Sequence, residues 1–234
     1  MNKRDKIWFI FDYLKQLFPN PQTELNYSTP FQLMIAVILS AQTTDKQVNK
    51  VTEKLFKEIH KPQDIVKFWE KKIMDYIKSI WLYKWKAKNI LELSKIMLSQ
   101  NYFIKFKDTN YQIKNTYKKY GYYISDQVDE LKKLPWIGEK TAKVIAHVLY
   151  KVPVIAVDTH VHRVVNRLWL VKTKTPEQTS KLLEKVIPDS YKNSSHHSLV
   201  LFGRYNCMSR KPKCEGCELK KICIYYKDSV CKLR

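Results

Sequence analysis

Apolar residues recur at helical spacing along most of the chain. Within residues 6–18, Ile7, Phe11 and Leu14 fall on one face of a helix, which the Pro19–Pro21 segment then ends. The same spacing predicts helices over residues 31–40, 64–80, 86–98, 126–133 and 139–150, with a break at residues 81–85. No segment alternates as a strand would, and no repeat recurs at a fixed interval. The pattern therefore predicts an all-α fold.

Polar residues at the starts of several segments are suited to cap helices. Thr29 directly before Pro30 is typical of an N-cap followed by the first helical residue. Thr44, with Gln47 three residues later, has the pattern of a capping box ahead of another apolar stripe. Ser125 is a candidate cap for the helix expected after it. These signals indicate where helices begin.

The chain is strongly basic. Lys and Arg total 43 against 22 Asp and Glu, which gives a formal net charge of +21 over 234 residues. An excess of this size favours a polyanionic partner, with nucleic acid first and an anionic membrane surface second. Six of these cations are arginine, and lysine binds phosphate as a point charge rather than reading bases. A compositional bias toward lysine is the plainer alternative, because the lysines are spread along the whole chain.

Length and composition favour a folded protein of one or two domains that remains in the cytoplasm. Hydrophobic residues make up 44% of the chain, and its four glycines are few for a β fold rich in tight turns. The longest apolar run covers residues 33–39, far short of the ~20 residues needed to span a bilayer. The apolar stretch at residues 7–11 lacks the features of a secretory signal.

Four cysteines lie close together near the C-terminus. Cys207, Cys214, Cys217 and Cys223 form a C-x6-C-x2-C-x5-C pattern. The pattern favours a metal site, because structural disulfides are rare in the cytoplasm. One C-x2-C pair with two outlying cysteines slightly favours a [4Fe–4S] cluster over zinc, which usually takes two paired knuckles. Cys231 is interpreted as a free thiol.

Other polar residues near the cysteines have less specific roles. Arg210, Lys211 and Lys213 lie in the first cysteine loop, and a loop fixed at both ends by a metal would present them to a phosphate backbone. A solvated loop is the alternative. His196 and His197 are interpreted as packing or hydrogen-bonding residues, since four cysteines already complete a metal site.

Residues 131–141 indicate a helix, a tight turn and a second helix. Pro135 and Gly138 bracket the turn, and Lys140 follows at the start of the second helix. Turn amides and a helix N-terminus form a site suited to a phosphate. The positive end of the helix dipole also favours the uncharged Lys140 amine, which is a nucleophile toward a sugar C1′ or a carbonyl. A lysine that only binds phosphate is the plainer interpretation of this feature alone.

Asp158 stands between two apolar segments. It follows the run Val154–Val157 and precedes a helical stripe that extends to Trp169. Its first expected role is that of an N-cap. The functional interpretation is that the carboxylate also faces the turn bearing Lys140, where it would stabilise cationic character in a sugar or carry a proton.

Five segments together resemble the endonuclease III family of DNA repair glycosylases. They are Leu-Ser-Ala-Gln-Thr-Thr-Asp (39–45), Leu-Pro-x-Ile-Gly-x-Lys-Thr (134–141), Val-Asp-Thr-His-Val-x-Arg-Val (157–164), His-His-x-Leu-x-x-x-Gly-Arg (196–204) and the four cysteines. The matches extend over most of the chain, and no single shared feature of a fold would produce all five.

The resemblance implies a two-domain, all-α helix-hairpin-helix glycosylase fold with its substrate cleft between the domains. Residues 22–133 would form a six-helix domain. Residues 1–21 and 134–234 would form the domain that carries the hairpin and the iron–sulfur loop. The resemblance also implies that the four cysteines hold a [4Fe–4S] cluster and that Lys140 and Asp158 are the catalytic pair.

A further set of residues is expected to contact DNA. By position, Gln42 and Leu82 resemble the family residues that fill the duplex when the damaged nucleotide is flipped out. Ordinary packing is the alternative for Leu82. The full set expected at the DNA is Gln42, Leu82, Ile137, Gly138, Arg210, Lys211 and Lys213.

Two features depart from the family pattern. Trp136 stands where the hairpin normally has glycine, which puts its backbone conformation and its approach to phosphate in question. The chain between Leu82 and Lys140 is about 20 residues longer than the family pattern, and the surplus lies near the basic, aromatic stretch 101–119. This stretch is either a solvated insertion or an extension of the DNA footprint.

The expected function is that of a bifunctional DNA glycosylase and AP lyase. It would excise oxidised pyrimidines from duplex DNA and nick the strand by β-elimination, acting as a monomer at the nucleoid. One alternative is a monofunctional relative such as the adenine glycosylase, but those lack the lysine and carry a C-terminal recognition domain, whereas 11 residues follow Cys223. The other is a non-catalytic iron–sulfur DNA-binding protein, which the presence of both Lys140 and Asp158 disfavours.

Overall fold

The structure is a computed structural model that describes residues 2–99 and 111–230. Its helices are α1 Lys3–Leu17, α2 Pro30–Leu39, α3 Asp45–Glu58, α4 Pro62–Lys67, α5 Glu70–Ile77, α6 Tyr83–Met97, α7 Tyr111–Tyr120, α8 Val128–Leu131, α9 Glu139–Tyr150, α10 Thr159–Arg167, α11 Pro176–Val186 and α12 Asp189–Tyr205. A 3₁₀-helix over Glu218–Lys221 and a π-helical turn over Tyr226–Val230 follow. The described residues contain no strand, which confirms the all-α prediction. No helix in this part of the chain is long and apolar enough to cross a membrane.

The chain folds as two compact units. We call residues 24–152 the central unit, and Met1–Thr23 together with Pro153–Arg234 the split unit. The central unit is continuous in sequence, whereas the split unit joins α1 to residues that follow the whole central unit. The hairpin and α9 belong to the central unit by compactness, whereas the domain that carries the hairpin is expected to comprise residues 1–21 and 134–234. The expected domain boundaries stay a prediction.

The core of the central unit forms around α2. Every residue from Phe31 to Leu39 is buried, and α3, α6 and α9 pack against this helix. Thr29 caps it as predicted, because its hydroxyl accepts from the Gln32 amide at 3.2 Å and the Gln32 side chain accepts from the Thr29 amide at 3.2 Å. The Gln32 side chain also donates to the Ile59 carbonyl at 2.7 Å. Gln32 therefore joins the start of α2 to the end of α3.

The structure differs from two helix predictions between residues 64 and 98. The single helix predicted over residues 64–80 is divided into α4 and α5, because Phe68 and Trp69 are extended, with ψ of 142° and 143°. This break turns the chain so that both short helices pack on α6. The break predicted at residues 81–85 is shorter in the structure, because α6 begins at Tyr83 and not at the predicted residue 86.

The helix predicted over residues 126–133 is also shorter in the structure. It is reduced to α8, a single turn whose N-cap residue is Gln127. The Ser125 hydroxyl accepts from the Gln127 amide at 3.0 Å, so it turns the chain before the helix instead of capping it. The helix ends at Leu131 because the next residues form the tight turns that lead into the hairpin. By contrast, the helix predicted over residues 139–150 is confirmed as α9 at both ends.

The described part of the stretch 101–119 forms most of α7. Tyr117 stacks on Tyr123 with ring centroids 4.4 Å apart, and the Tyr122 hydroxyl accepts from the Phe31 amide at 3.0 Å. These tyrosines, in and directly after α7, therefore serve the fold. Residues 101–110, which include Lys105 and Lys107, lie outside the described residues. Three lysines of α7 are exposed: Lys114, Lys118 and Lys119.

Helices α1, α10 and α12 contribute to the core of the split unit. Its buried apolar residues include Ile10, Phe11, Leu14, Val161, Val164, Leu199 and Phe202. The Tyr191 hydroxyl donates to Asp12 Oδ1 at 2.6 Å. The rings of Trp8 and Phe11 each lie 5.3 Å from the Tyr191 ring, measured between centroids. The first helix of the chain is thus built into the same core as the last long helix.

Candidate active site and cysteine-lined cavity

The hairpin over residues 134–138 leads directly into α9. The Ile137 amide donates to the Leu134 carbonyl at 3.3 Å, and both side chains are buried. Gly138 is the N-cap residue and has no side chain with which to cap the first amides of α9, which suits these amides to bind an anion. Of the two hairpin residues predicted to contact DNA, Gly138 is exposed and the Ile137 side chain belongs to the core.

Two lysines on α9 have different environments. Lys140, the second residue of the helix, is exposed. Lys143 is buried, and its ammonium group forms an ion pair with the Glu139 carboxylate at 2.9 Å. The ion pair holds Lys143 within the fold, whereas the Lys140 amine is accessible to a ligand. Of these two lysines, the helix therefore exposes only Lys140, directly after the hairpin.

Exposed residues of the central unit adopt a left-handed backbone conformation at two turns and in the hairpin. Gln42, Leu82 and Trp136 have φ of 56°, 58° and 63° there, and Lys151, the C-cap residue of α9, has φ of 56°. This conformation costs about 1 kcal/mol or more for a residue that has a β-carbon, and such strain is typical of residues that contact a ligand. Leu82 is 52% exposed, so packing in the core does not explain its position. The hairpin thus keeps, at Trp136, the backbone conformation that glycine adopts most readily.

Lys86 supports the turn that carries Gln42. Its ammonium group donates to the Leu39 and Ala41 carbonyls at 2.9 and 2.7 Å and to the Thr43 hydroxyl at 3.3 Å. A lysine in this position satisfies carbonyl groups that the end of α2 leaves without helical partners. Burial lowers the pKa of Lys86 to about 8. The side chain therefore bonds to both neighbours of Gln42, through the backbone carbonyl of Ala41 and the hydroxyl of Thr43.

The same lysine also lies close to the turn of Leu82. The Lys86 amide donates to the Leu82 carbonyl at 3.0 Å within the first turn of α6. Sequence reasoning missed Lys86, because a lysine on a helix is usually solvated. Lys86 lies four residues before the buried Ile90, and residues at this spacing share one face of a helix. This spacing is the signal that places Lys86 on the buried face of α6.

Asp158 caps α10, as the sequence predicts. Its Oδ1 accepts from the Val161 amide at 2.8 Å. The preceding residues Ile155, Ala156 and Val157 are buried, which fixes the position of the half-buried carboxylate. Asp158 belongs to the split unit.

The His-His-x-Leu-x-x-x-Gly-Arg motif serves the packing of α12. A β-carbon at Gly203 would lie 2.9 Å from the β-carbon of His160, so glycine is required for α12 to approach α10 this closely. His196 Nδ1 donates to the Ala156 carbonyl at 2.7 Å, and the His196 and His197 rings lie edge to face. Both histidines are buried, and the interpretation of them as packing and hydrogen-bonding residues is confirmed.

Four cysteines of the split unit line one cavity. Its walls include Cys207, Cys214, Cys217 and Cys223. The four thiols are free of disulfides. Burial raises the pKa of the Cys214, Cys217 and Cys223 thiols, and the neighbouring cysteines add to the effect. In residues 2–99 and 111–230, no three His, Cys, Asp or Glu side chains are arranged to hold a single metal ion. Cys231 lies outside the described residues.

Two arginines of α10 hold the start of the cysteine loop. Arg163 Nε donates to the Cys207 carbonyl at 3.1 Å. Arg167 donates to the Met208 carbonyl at 2.7 Å and to the Ser209 carbonyl at 3.1 Å. Sequence reasoning missed these two residues, although Arg163 stands in a matched motif. The loop continues with three exposed cations that the sequence predicts at the DNA: Arg210, Lys211 and Lys213.

Known proteins resemble this chain over nearly its whole length. The HhH-GPD superfamily of base excision DNA repair proteins matches residues 35–189. Endonuclease III of Rickettsia conorii is 42% identical over 217 residues, which cover 93% of this chain and 94% of that protein. Endonuclease III of Escherichia coli strain K12 is 38% identical over 225 residues, which cover 96% and 97%.

A solved structure resembles the fold equally well. It shows a trapped covalent intermediate of endonuclease III with DNA, and it matches with a TM-score of 0.83 and 36% identity over 100% of both chains. The family match covers more than half of the chain, and the curated relatives exceed 30% identity. The chain therefore belongs to the HhH-GPD superfamily of base excision DNA repair proteins and, within it, to the endonuclease III family.

Proposed function

We propose that the chain is a bifunctional DNA glycosylase and AP lyase that removes oxidised pyrimidines from duplex DNA and nicks the abasic site. The Lys140 amine carries the proposal, because it is exposed in the first turn of α9, directly after the hairpin. A bifunctional enzyme needs a primary amine that can form an imine with the sugar. A monofunctional glycosylase has no need of this amine. Membership of the endonuclease III family supports the same reaction.

In this reaction Lys140 replaces the damaged base at the sugar. The damaged nucleotide leaves the stack, and Nζ of Lys140 bonds to C1′ while the glycosidic bond breaks and the base departs with a proton. Opening of the sugar ring gives an imine between Lys140 and C1′. Loss of a C2′ proton then breaks the C3′–O bond, which nicks the strand 3′ to the lesion. Water hydrolyses the imine and restores the amine.

Asp158 is the proposed partner of Lys140. The cap of α10 uses Oδ1, which accepts from the Val161 amide, so the reaction would use Oδ2. A carboxylate stabilises the positive charge that develops on the sugar as the base leaves, and it can carry a proton between steps. The cap also fixes the rotamer of Asp158, which keeps the charge in one place.

The four cysteines are proposed to hold a [4Fe–4S] cluster. They fit the group because all four thiols line one cavity. Burial and the neighbouring cysteines raise the pKa of the Cys214, Cys217 and Cys223 thiols, and binding of their thiolates to iron would relieve this effect. The cluster would tie together the ends of the loop whose start Arg163 and Arg167 hold. The exposed cations of this loop would then meet the DNA backbone with little loss of conformational freedom.

The partner and setting follow from this assignment. Duplex DNA with damaged bases or abasic sites is the proposed substrate, since the net charge of +21 favours a polyanion. A related endonuclease III has been solved in a non-covalent complex with DNA, at a TM-score of 0.82. We place the protein as a monomer in the cytoplasm, at the chromosome.

Trapping of the imine with borohydride tests the assignment of Lys140. Lys140→Gln should abolish the trapped adduct on abasic duplex DNA and leave binding of undamaged duplex within about twofold, since one exposed lysine contributes at most one phosphate contact. Lys132→Gln is the matched control, because Lys132 is exposed nearby in the same unit. An adduct that persists in Lys140→Gln would show that another amine is the nucleophile.

Asp158→Asn tests the carboxylate without removing the cap. Asparagine caps helices about as well as aspartate, so the stability of the variant should change little. The rate of base release in a single turnover should fall by about 10²-fold or more, because the charge is lost. A rate equal to that of the unmodified protein would exclude a catalytic role for Asp158 and leave it as a helix cap.

A further inference from the structure

Two tryptophan rings meet at the surface of the central unit. Trp85 lies in the first turn of α6, Trp136 lies in the hairpin, and their rings pack edge to face with centroids 5.2 Å apart. Trp85 remains 60% exposed and Trp136 remains 56% exposed. Aromatic surface left in water costs free energy until a ligand covers it. The contact between the two rings therefore leaves much of their apolar surface exposed to solvent.

The backbone at Trp136 adds to this cost. With φ of 63°, the residue holds a conformation that glycine adopts without penalty and that tryptophan does not. The exposed ring gains too little burial for core packing to offset the strain. Strained and exposed residues of this kind are typical of binding sites. The tryptophan at this position is thus better explained by a ligand than by the fold.

The tryptophan pair is continuous with the surface proposed to meet DNA. Trp85 follows Leu82 by three residues, and Trp136 precedes Gly138, the N-cap residue of α9, by two. The ring contact thereby joins the turn of Leu82 to the hairpin that leads to Lys140. Trp81, on the other side of Leu82, is also exposed. This placement rests on the proposed function, because that function assigns Leu82 and the hairpin to the DNA.

Unpaired bases are the part of DNA that exposed aromatic rings recognise. Rings bind nucleic acids by stacking on bases, and in an intact duplex the faces of the bases are already stacked on one another. Removal of one nucleotide from the duplex, which the proposed reaction requires, exposes base faces beside the reacting sugar. We propose that Trp85 and Trp136 form a stacking platform for an unpaired base next to the flipped nucleotide.

A comparison of single-stranded and duplex DNA tests the platform. The dissociation constants of the full chain would be measured by fluorescence anisotropy for oligothymidine and for an undamaged duplex of equal length, at one salt concentration. Trp85→Ser and Trp136→Gly should each weaken binding of oligothymidine about tenfold, the equivalent of one stacked base, and binding of the duplex less than about threefold. Quenching of tryptophan fluorescence by oligothymidine should decrease in both variants.

The variants should stay folded, so that weaker binding of oligothymidine cannot be caused by unfolding. Glycine at residue 136 relieves the left-handed backbone, so Trp136→Gly should be at least as stable as the unmodified protein. Trp69→Ser is the matched control, because Trp69 is 84% exposed in the same unit and precedes α5, away from α6 and the hairpin in sequence. It should leave both dissociation constants unchanged.

Two outcomes would overturn the platform. One is binding of oligothymidine that stays within about twofold of the unmodified protein in both variants. The other is an equal loss on single-stranded and duplex DNA, which would show that the rings contact the backbone instead of unpaired bases. Because this comparison needs no catalysis, failure of Lys140→Gln to abolish imine trapping would contradict the proposed function and leave the result on the platform standing.

Discussion

The central unit and the split unit hold their functional groups in different ways. In the central unit, buried groups such as Lys86 fix the backbone of a turn, while the side chains at the turn tips, Gln42 and Leu82, are exposed. In the split unit, functional side chains are themselves bonded: Asp158 caps α10, and Arg167 holds the cysteine loop. The two units thus differ in what their hydrogen bonds fix. In the central unit they fix a turn whose side chains stay exposed, as the proposed contact with DNA requires, and in the split unit they fix a loop and a carboxylate.

The largest effect is expected in the split unit, where the proposed cluster depends on four cysteines. Protein purified without oxygen should contain about four iron and four sulfide per chain. Cys214→Ala removes one ligand, so most of the iron should be lost and the free energy of unfolding should fall by about 4 kcal/mol or more. Iron and sulfide analysis and chemical denaturation measure these two quantities.

Cys231→Ala is the matched control for the cluster, because Cys231 stands outside the C-x6-C-x2-C-x5-C pattern of the other four cysteines. This variant should keep the full iron content and stability. Stoichiometric zinc without sulfide, in protein prepared without oxygen, would show that the cysteines hold zinc and would contradict the cluster.

An intermediate effect is expected in the central unit at Lys86. Lys86→Met keeps the length of the side chain but removes the donors to the Leu39 and Ala41 carbonyls. The free energy of unfolding should therefore fall by about 1–3 kcal/mol, the cost of leaving buried polar groups without a partner. Lys88→Met, on the exposed side of the same helix, should change it by less than about 0.5 kcal/mol. Equal losses in the two variants would refute the supporting role of Lys86.

The pH dependence of stability sharpens this prediction. Burial lowers the pKa of Lys86 to about 8 from an ordinary value of 10.5, so between these values the folded protein binds fewer protons than the unfolded chain. The contribution of Lys86 to the free energy of unfolding therefore rises with pH through this window. The difference in stability between the unmodified protein and Lys86→Met should widen from about pH 7.5 to about pH 9.5. A difference that stays constant or narrows over this range would mean that folding does not lower the pKa of Lys86.

The smallest effect concerns the three exposed lysines of α7. Changing Lys114, Lys118 and Lys119 to glutamine should flatten the slope of log affinity against log salt by ~0.9 for each DNA phosphate that these lysines neutralise, and we expect about two such phosphates. Damaged and undamaged duplexes should respond alike. A matched variant changes three exposed lysines of α3: Lys50, Lys54 and Lys57. Equal slopes for the two variants would leave α7 as a neutral insertion.

Helix starts with a side-chain cap were predictable, whereas breaks set by packing were not. Thr29, Thr44 and Asp158 all act as N-caps, because a cap needs only its neighbours in sequence. The break at Phe68 depends on how α4 and α5 pack on α6, and neither Phe68 nor Trp69 is a residue that marks a break. A long-range hydrogen bond also changes one predicted capping box, since the Gln47 side chain donates to the Ser79 hydroxyl at 2.8 Å.

The sequence predicts the candidate site as a set of residues but not as an arrangement, and the roles of these residues stay predictions. Lys140, Asp158 and the four cysteines stand in motifs that a single sequence displays. The supporting contacts of Lys86 and Arg163 have backbone carbonyls as acceptors, 47 and 44 residues away in sequence, and a carbonyl has no sequence signature. The left-handed turn at Trp136 was also not predictable, because tryptophan gives no indication of a conformation that it disfavours.

The discontinuous split unit also sets an order of events while the chain is being synthesised. Asp12 of α1 accepts a hydrogen bond from Tyr191, which the ribosome adds 179 residues later. At about 5–20 residues per second, this partner follows after roughly 10 to 40 seconds. During that interval the apolar side chains of α1 have no partners from α12 to pack against. The central unit, which is continuous in sequence, can fold first. A nascent chain halted before Tyr191 should therefore contain a folded central unit and a first helix that is not yet packed in the core of the split unit. Limited proteolysis of the nascent chain on stalled ribosomes would reveal this difference.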